Sequence, residues 1–452
     1  MDTIELRAAA ARLLNLHGRF ARCFGRRECQ EHCLGYLRGL LLAGGRKSVE
    51  PMALLFGGPS DEQPNIDQNI VLAWQRFLTV SPWEARDVQQ ELQAVFNEEF
   101  VPTASQSPIG TVGVIDGSGF VKRGTESVGV QRQWCGRMGK KENCQVGVFL
   151  LGATPAGTAL LDHQLYLPET WAADAVRRKK TRVPSEVTFQ TKPQIAAALV
   201  ARSSVRFDWI TADEEFGRDG DFLDALEQGQ QRYLVEVPAD TTVWAEKPLR
   251  QTPDEFVWQV RLLAAACPAK AWHVIQLRDG TKGPLAFEFA RLRVWSVRHR
   301  HAGPPVWLLV RRSLERVPEI KYYVSNVAPE VPLEMMALVT GVRWRVEEFF
   351  EDGKGQLGMA QYEARSWTSW HHHMSLVALA HLFVTQTRRD LRRKVPELTL
   401  DMAMRLIRAS LAHPQLSLTD AGDLVDYYLA RNHQAAQSHR KTWLAKHPNV
   451  VS

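Results

Sequence analysis

The sequence predicts a mixed α/β chain: a sheet-bearing catalytic core, interrupted by a β-rich insertion and flanked by helical N- and C-terminal regions. Three observations predict it. Apolar residues recur at helical spacing through residues 1–105 and again in 395–452. Runs of β-branched residues alternate with helical stretches in 106–237, and helical periodicity returns in 329–394. Between them, 238–328 reads as successive strands.

Taken in order, LRAAAARLLNLHGRFARCF and QEHCLGYLRGLLLAGG carry leucines on helical faces, and Gly44 with Gly45 ends the second. A later helix is expected to begin at Ser81, with Pro82 at its first position and Glu84 completing a capping box. Arg19, Arg22, Arg26, Arg27, Arg38, Arg46 and Lys47 concentrate base in this region. Cys23, Cys29 and Cys33 lack the paired spacing of a zinc knuckle, and Cys29 and Cys33 stand i,i+4 on a helix, which favours core packing.

The core begins with TVGVIDGSGF, residues 111–120. Val112, Val114 and Ile115 predict a buried strand, and Gly117 and Gly119 predict a tight turn that presents Asp116 beyond the strand end. Strands are expected at 127–132 and 145–151, separated by the glycine-rich turn 136–139. A helix over 192–201 leads to FDWITADEEFG, where Trp209 and Ile210 head a second strand that ends at Asp213. Three antiparallel strands, a helix and a fourth strand are the ribonuclease H-like order. It makes the first and fourth strands neighbours, so Asp116 and Asp213 can share an ion although 97 residues separate them. A helix over 219–228 and a strand over 232–237 extend the pattern.

The insertion offers FVWQVRLL, AWHVIQL, LAFEFARLRVWSVRH, VWLLVRR and IKYYVSNV as strands, with turns at Asp279–Gly280 and Gly303–Pro304. Trp258, Trp272, Trp295 and Trp307 within it read as core ahead of stacking platforms. After it, VRWRVEEFFEDGKGQL predicts a helix. At 100° per residue, Arg343, Glu347 and Lys354 fall within about 40° of one another, whereas Glu348 lies about 100° off that face.

Asp116, Asp213 and Glu347 therefore form a set of three acids from separate elements. Each alone has a bland role as turn residue, helix cap or solvated charge. Together they suit two-metal phosphoryl transfer, because hard cations prefer carboxylate oxygens.

The flanking text narrows this. IDGSGFVKRGTESVGVQRQWCGRMGKKENCQVGVFL, ITADEEFGRDGDFLDALE and RWRVEEFFEDGKGQLGMAQYEARSW, with LLDHQLYLPETWAAD between the first two, closely resemble the conserved blocks of bacterial insertion-sequence transposases of the insertion sequence 701 type. The likeness runs from about residue 20 to residue 381. The wider group carries a Tyr-x2-Arg-x3-Glu-x6-Lys signature, matched here by Arg343, Glu347 and Lys354 but with Thr340 in place of the tyrosine. Ser118 stands where threonine is usual.

The resemblance implies a DDE transposase. Asp116, Asp213 and Glu347 would be its catalytic metal ligands for two Mg²⁺ ions, with Mn²⁺ as a substitute. Arg343, Lys354, Lys122 and Arg132 would contact DNA. The partners implied are double-stranded DNA, namely terminal inverted repeats and target, and a second copy of the chain in the DNA complex. Cleavage would free a 3′ hydroxyl that attacks target DNA. The alternatives are a domesticated binder that has lost cleavage and a ribonuclease H-like nuclease without strand transfer.

Composition agrees. At 45% hydrophobic and 23% charged, the 452 residues describe a folded chain, and a net charge of +6 with a pI near 9.0 suits a polyanion partner. The N-terminus has no signal-peptide pattern and six cysteines make no disulfide framework, which predicts a cytoplasmic protein, and the resemblance implies that it associates with the nucleoid. His371, His372 and His373 are adjacent on a predicted helix start, point in three directions and cannot chelate one ion together. RRKKTR at 177–182 and RRDLRRK at 388–394 offer further phosphate-binding surface.

Overall fold

The computed structural model describes residues 3–57, 68–248, 257–280, 283–393, 395, 397–411 and 418–446. Five helices come first: α1 (Thr3–Phe20), α2 (Arg27–Leu42), α3 (Val49–Gly57), α4 (Gln68–Thr79) and α5 (Ala85–Glu99). The last starts four residues after the expected Ser81. Trp83 decides this: it is buried, stacks on Phe77 and donates its indole N–H to the Phe77 carbonyl, holding the preceding residues as a turn.

The core sheet contains β1 (Val112–Val121), β2 (Gln131–Cys135), β3 (Lys140–Thr154), β4 (Gly157–Leu165) and β5 (Trp209–Ala212). β1 pairs antiparallel with β3 and parallel with β5, and β4 lies on the other edge of β3. Strand β4 was not anticipated. Its sequence, GTALLDHQL, is buried along nearly its whole length and lacks the polar alternation of a half-exposed strand. Strand β1 also departs from expectation, because no turn follows Asp116. The ladder with β3 continues through Gly117, Ser118 and Gly119, and Asp116 is a mid-strand residue opposite Phe149.

Between β4 and β5 lie α6 (Glu169–Ala172), α7 (Ala175–Lys180) and α8 (Lys192–Ala201), the last with a capping box from Thr191 and Gln194. After β5 come α9 (Glu214–Gly217), α10 (Gly220–Gln228) and β6 (Leu234–Val237). The register of β1 and β5 is clamped at its start, where the Thr111 amide donates to Asp208 Oδ2 at 2.8 Å. Gly110 adopts φ +66°, and a Cβ there would collide with that carboxylate, so glycine is required.

The second sheet contains β7 (Thr242–Trp244), β8 (Trp258–Gln259), β9 (His273–Gly280), β10 (Gly283–Arg298), β11 (His301–Ser313) and β12 (Ile320–Ser325), in the order β6-β12-β11-β10-β7-β8 with β9 also on β10. β6 thus belongs to the insertion's sheet and touches the core sheet through a parallel bridge between Ile210 and Tyr233. The expected strand FVWQVRLL is strand only at Trp258–Gln259, its second half belongs to helix α11 (Val260–Ala265), and Phe256 lies outside the described residues. The β10–β11 hairpin turns at His299 and Arg300, both at positive φ, so Gly303 and Pro304 are strand residues instead of a turn. Asp279 and Gly280 end β9, and residues 281–282 lie outside the described set. Arg312 covers the Trp272 ring and Arg291 that of Trp307.

The chain closes with α12 (Leu333–Thr340), α13 (Trp344–Gln356), α14 (Trp367–Arg392), α15 (Leu400–Leu411) and α16 (Leu418–Lys446). Helix α14 is buried along most of its length, packing on β4, α2, α4 and α5, with its histidines enclosed among apolar side chains. Helices α8 and α10 cover the opposite sheet face through Ile195, Leu199 and Phe222. The architecture is a ribonuclease H-like α/β core with helical flanks. Among the described residues no helix is long and apolar enough to cross a membrane.

Candidate active site

Side chains alternate across a strand, so Val112, Val114, Asp116, Ser118 and Phe120 share one face of β1. Helix α13 crosses that face. Parallel pairing sets Ile115 opposite Ala212, which brings the next residue on each strand, Asp116 and Asp213, side by side. β5 stops there because Asp213 caps α9, accepting the Glu215 amide at 2.9 Å. The cap role and a place at the site are therefore compatible. Glu347 enters from the first turn of α13, with its side chain 63% exposed.

These residues line a cleft of about 700 Å³ together with Ser118, Trp134, Lys192, Glu215, Arg343, Glu351 and Lys354. Five of the predicted site residues thus converge: Asp116, Asp213, Glu347, Arg343 and Lys354. Lys354 donates to Ser118 Oγ at 2.8 Å and to the Gly119 carbonyl at 3.2 Å, which ties the last turn of α13 to β1. Arg132 projects from the exposed face of β2, two residues before the cleft-lining Trp134. Lys122 does not reach the cleft. Its ammonium lies 3.3 Å from the centre of the Tyr362 ring, donates to the Tyr362 carbonyl at 2.9 Å and is pulled down to about 7 by burial.

Burial raises the Asp116 carboxyl well above the usual range, the neighbouring Asp213 adds to this, and Arg343 opposes it. Burial raises Asp213 as well, against Arg343 and with help from Glu215. For Arg343, burial alone would lower the guanidinium, and the carboxylates of Asp116, Glu236, Glu347 and Asp213 more than reverse that. The guanidinium contacts Glu347 Oε1 at 3.0 Å and Asp116 Oδ2 at 3.5 Å. A cluster of buried oxygen donors compensated by a protein cation has the chemistry of a hard-cation site.

Sequence reasoning missed four participants. Trp134 is 58% exposed on the cleft rim, and the alternation Arg132–Trp134 was the available signal. Lys192 and Glu215 pair across the cleft, and their proximity to Asp213 in sequence was a hint for Glu215 alone. Glu236, on β6, reaches Arg343 from outside the cleft lining, and no sequence pattern marked it.

Elsewhere, predicted basic surfaces are partly consumed internally. Arg19 pairs with Glu91 and Glu98, Arg46 pairs with Glu363, and Lys47 is buried against the Leu40 carbonyl. Arg177 lies over Trp171, Arg178 bonds loop carbonyls, and Arg388 and Arg392 bond the Leu398 carbonyl, while Lys394 lies outside the described residues. Thr340, at the signature's tyrosine position, is buried and bonds the Ala337 carbonyl. Among the described residues, three ligand-type side chains approach within 4.8 Å at Asp221, Asp224 and His299, a surface group away from the cleft with Arg298 already on Asp224.

Comparison with known proteins gives the family. Residues 19–284 match the model of the DDE superfamily endonucleases, and residues 189–383 match a transposase DDE domain. The chain belongs to the DDE superfamily endonucleases, and its function is that of a DDE transposase, an enzyme that cuts and joins DNA with divalent metal ions. It is similar to the "Probable transposase for insertion sequence element IS701" of Microchaete diplosiphon, 24% identical over 292 residues, which span 63% of this chain and 67% of that relative.

Proposed function

We propose that Asp116, Asp213 and Glu347 are the catalytic carboxylates and that they hold two Mg²⁺ ions, with Mn²⁺ able to substitute. The observation that carries this reading is that Asp116 and Asp213, each one residue past the Ile115–Ala212 pair of β1 and β5, line one cleft with Glu347. Bound there, divalent cations activate the attacking oxygen and neutralise the leaving oxygen. The protein's own groups do the rest. Arg343 and Lys354, one and two turns from Glu347, hold phosphates on either side of the scissile bond. Lys354 is aimed by Ser118 and Gly119 and backed by the Phe120 and Phe350 rings. Arg132 extends the track along β2. Cleavage at terminal inverted repeats leaves a 3′ hydroxyl, which attacks target DNA in the same cleft. Two ends must be processed together, so the active form is a homodimer on DNA, in the cytoplasm at the nucleoid. The helical region 1–105 grips the DNA end and the insertion 238–328 supports it.

The test is incubation of labelled duplexes carrying the DNA that borders the gene, with Mg²⁺ or with chelator. Metal-dependent cutting at a fixed end, lost in Asp116→Asn while binding persists, is expected. Undiminished cutting by that variant would remove Asp116 from the site.

A further inference from the structure

The Arg343 guanidinium aims each of its three nitrogens at a different carboxylate. Nη2 meets Glu347 at 3.0 Å and Nη1 meets Asp116 at 3.5 Å. Nε faces Glu236 Oε2 at 3.6 Å, which is too long for a hydrogen bond. Glu236 is only 12% exposed, and its other oxygen takes the Lys321 ammonium at 2.9 Å. Oε2 itself is buried with no hydrogen-bond partner. A buried carboxylate oxygen left unmade is unfavourable, so the structure holds an empty acceptor within an ångström of the position Arg343 needs to fill it. Meanwhile Arg343 lies on two of the oxygens that a divalent cation would require.

We propose that Glu236 is the alternative seat of Arg343: a divalent cation arriving at Asp116 and Glu347 displaces the guanidinium, which shifts onto Glu236 and stays at the cleft edge. The inference rests on the assignment of Asp116 and Glu347 as metal ligands and goes beyond it. It makes Arg343 a competitor of the metal and Glu236 the positioning residue that sets the outcome of that competition. In the metal-free protein Arg343 offsets part of the repulsion among four neighbouring acids. In the loaded protein the same group is freed to face phosphate. Without Glu236 it has nowhere to go, and it holds Asp116 and Glu347 more tightly.

The test is Mn²⁺ binding to the full-length, DNA-free protein, read from the free-ion electron paramagnetic resonance signal. Glu236→Gln should weaken binding roughly tenfold, and Glu236→Asp should restore most of it. Arg343→Gln should tighten binding, and in that background Glu236→Gln should change it less than about twofold. An equal loss in both backgrounds would mean that Glu236 acts only as a distant negative charge and would overturn the proposal, as would no loss in the presence of Arg343. If Glu236→Gln does not fold, Lys321→Met tests the same point in the opposite direction. It strengthens the pull of Glu236 on Arg343 and should tighten Mn²⁺ binding only while Arg343 is present. Asp116→Asn separates the two levels: unchanged Mn²⁺ binding in that variant refutes the ligand assignment itself.

Discussion

Helices α13 and α14 follow one another in the chain, both carry metal-binding types of side chain within their first two turns, and the fold uses them in opposite ways. In α13, Glu347 is mostly exposed to a cleft that also holds Asp116, Asp213 and Arg343. In α14, His371, His372 and His373 are buried, each already engaged by backbone or a neighbouring ring. His372 has its ring nitrogens 3.0 and 2.8 Å from the Leu78 and Trp83 carbonyls, the neutral ring donating to one, and it stacks on Trp83 at 3.6 Å. His373 meets Tyr36 Oη at 2.9 Å. Polar groups satisfied by fixed partners hold helices together. A carboxylate held by another mobile side chain, as Glu347 is by Arg343, remains available to a ligand.

The sharpest break of this contrast is at the acids. Glu347→Gln and Asp116→Asn are each expected to lower DNA cleavage by about 10³-fold or more, with thermal unfolding unchanged or raised because like-charge repulsion is relieved. A melting temperature lowered by many degrees with cleavage retained would assign the acids to the fold instead. The mirror experiment is His372→Ala. Loss of its stacking and its hydrogen bond should destabilise the protein by about 3 kcal/mol, seen in denaturant titration, while the folded fraction cuts DNA at the normal rate.

Protons distinguish the acid cleft from the buried histidines by sign. Burial pulls His163, His371, His373 and His381 down to about 3 and His372 to about 4. Below the ordinary histidine range the unfolded chain therefore binds more protons than the folded one, and stability falls as pH drops from about 6.5 toward 4. Asp116 and Asp213 are shifted upward, so without metal they bind more protons folded than unfolded and contribute a loss of stability as pH rises above the ordinary carboxylate range. Unfolding free energies measured across pH with chelator, then with Mg²⁺, check both: the cation should cancel the carboxylate contribution and leave the histidine one. The smallest effect is expected for Lys354→Ala, a roughly tenfold loss in DNA-end affinity with the salt slope reduced by about one. An unchanged slope would return Lys354 to bracing α13 against β1.

Much of the site was legible because its residues sit in local patterns. Arg343, Glu347 and Lys354 are set on one face by helical period alone, and the strand before Asp213 ends where its text changes. The turn expected after Asp116 was misread because glycines 117 and 119 suggest a break, whereas their small size suits a strand on which other groups pack. A Cβ at Gly119 would strike Cys135 Sγ. The capping box at Ser81 failed for a related reason: the buried Trp83 indole outweighed a local hydrogen-bond motif. The histidine run, expected at a helix start, lies in the second turn of α14, which begins four residues earlier at Trp367, and its burial comes from elements distant in sequence, among them α2 and α4.

By itself the sequence determined the three-acid set, the α/β order, the β-rich interruption and the kinship with DDE transposases, since each is written in short-range period or contiguous motif. Only the tertiary structure decided that Asp116 stands mid-strand beside Asp213, that Lys122 turns inward to Tyr362, and that Glu236 faces Arg343. Those facts depend on strand register and on packing between elements far apart in the chain. A single residue's slip in register would move Asp116 to the opposite face of the sheet, and no local pattern records which slip the packed core forbids.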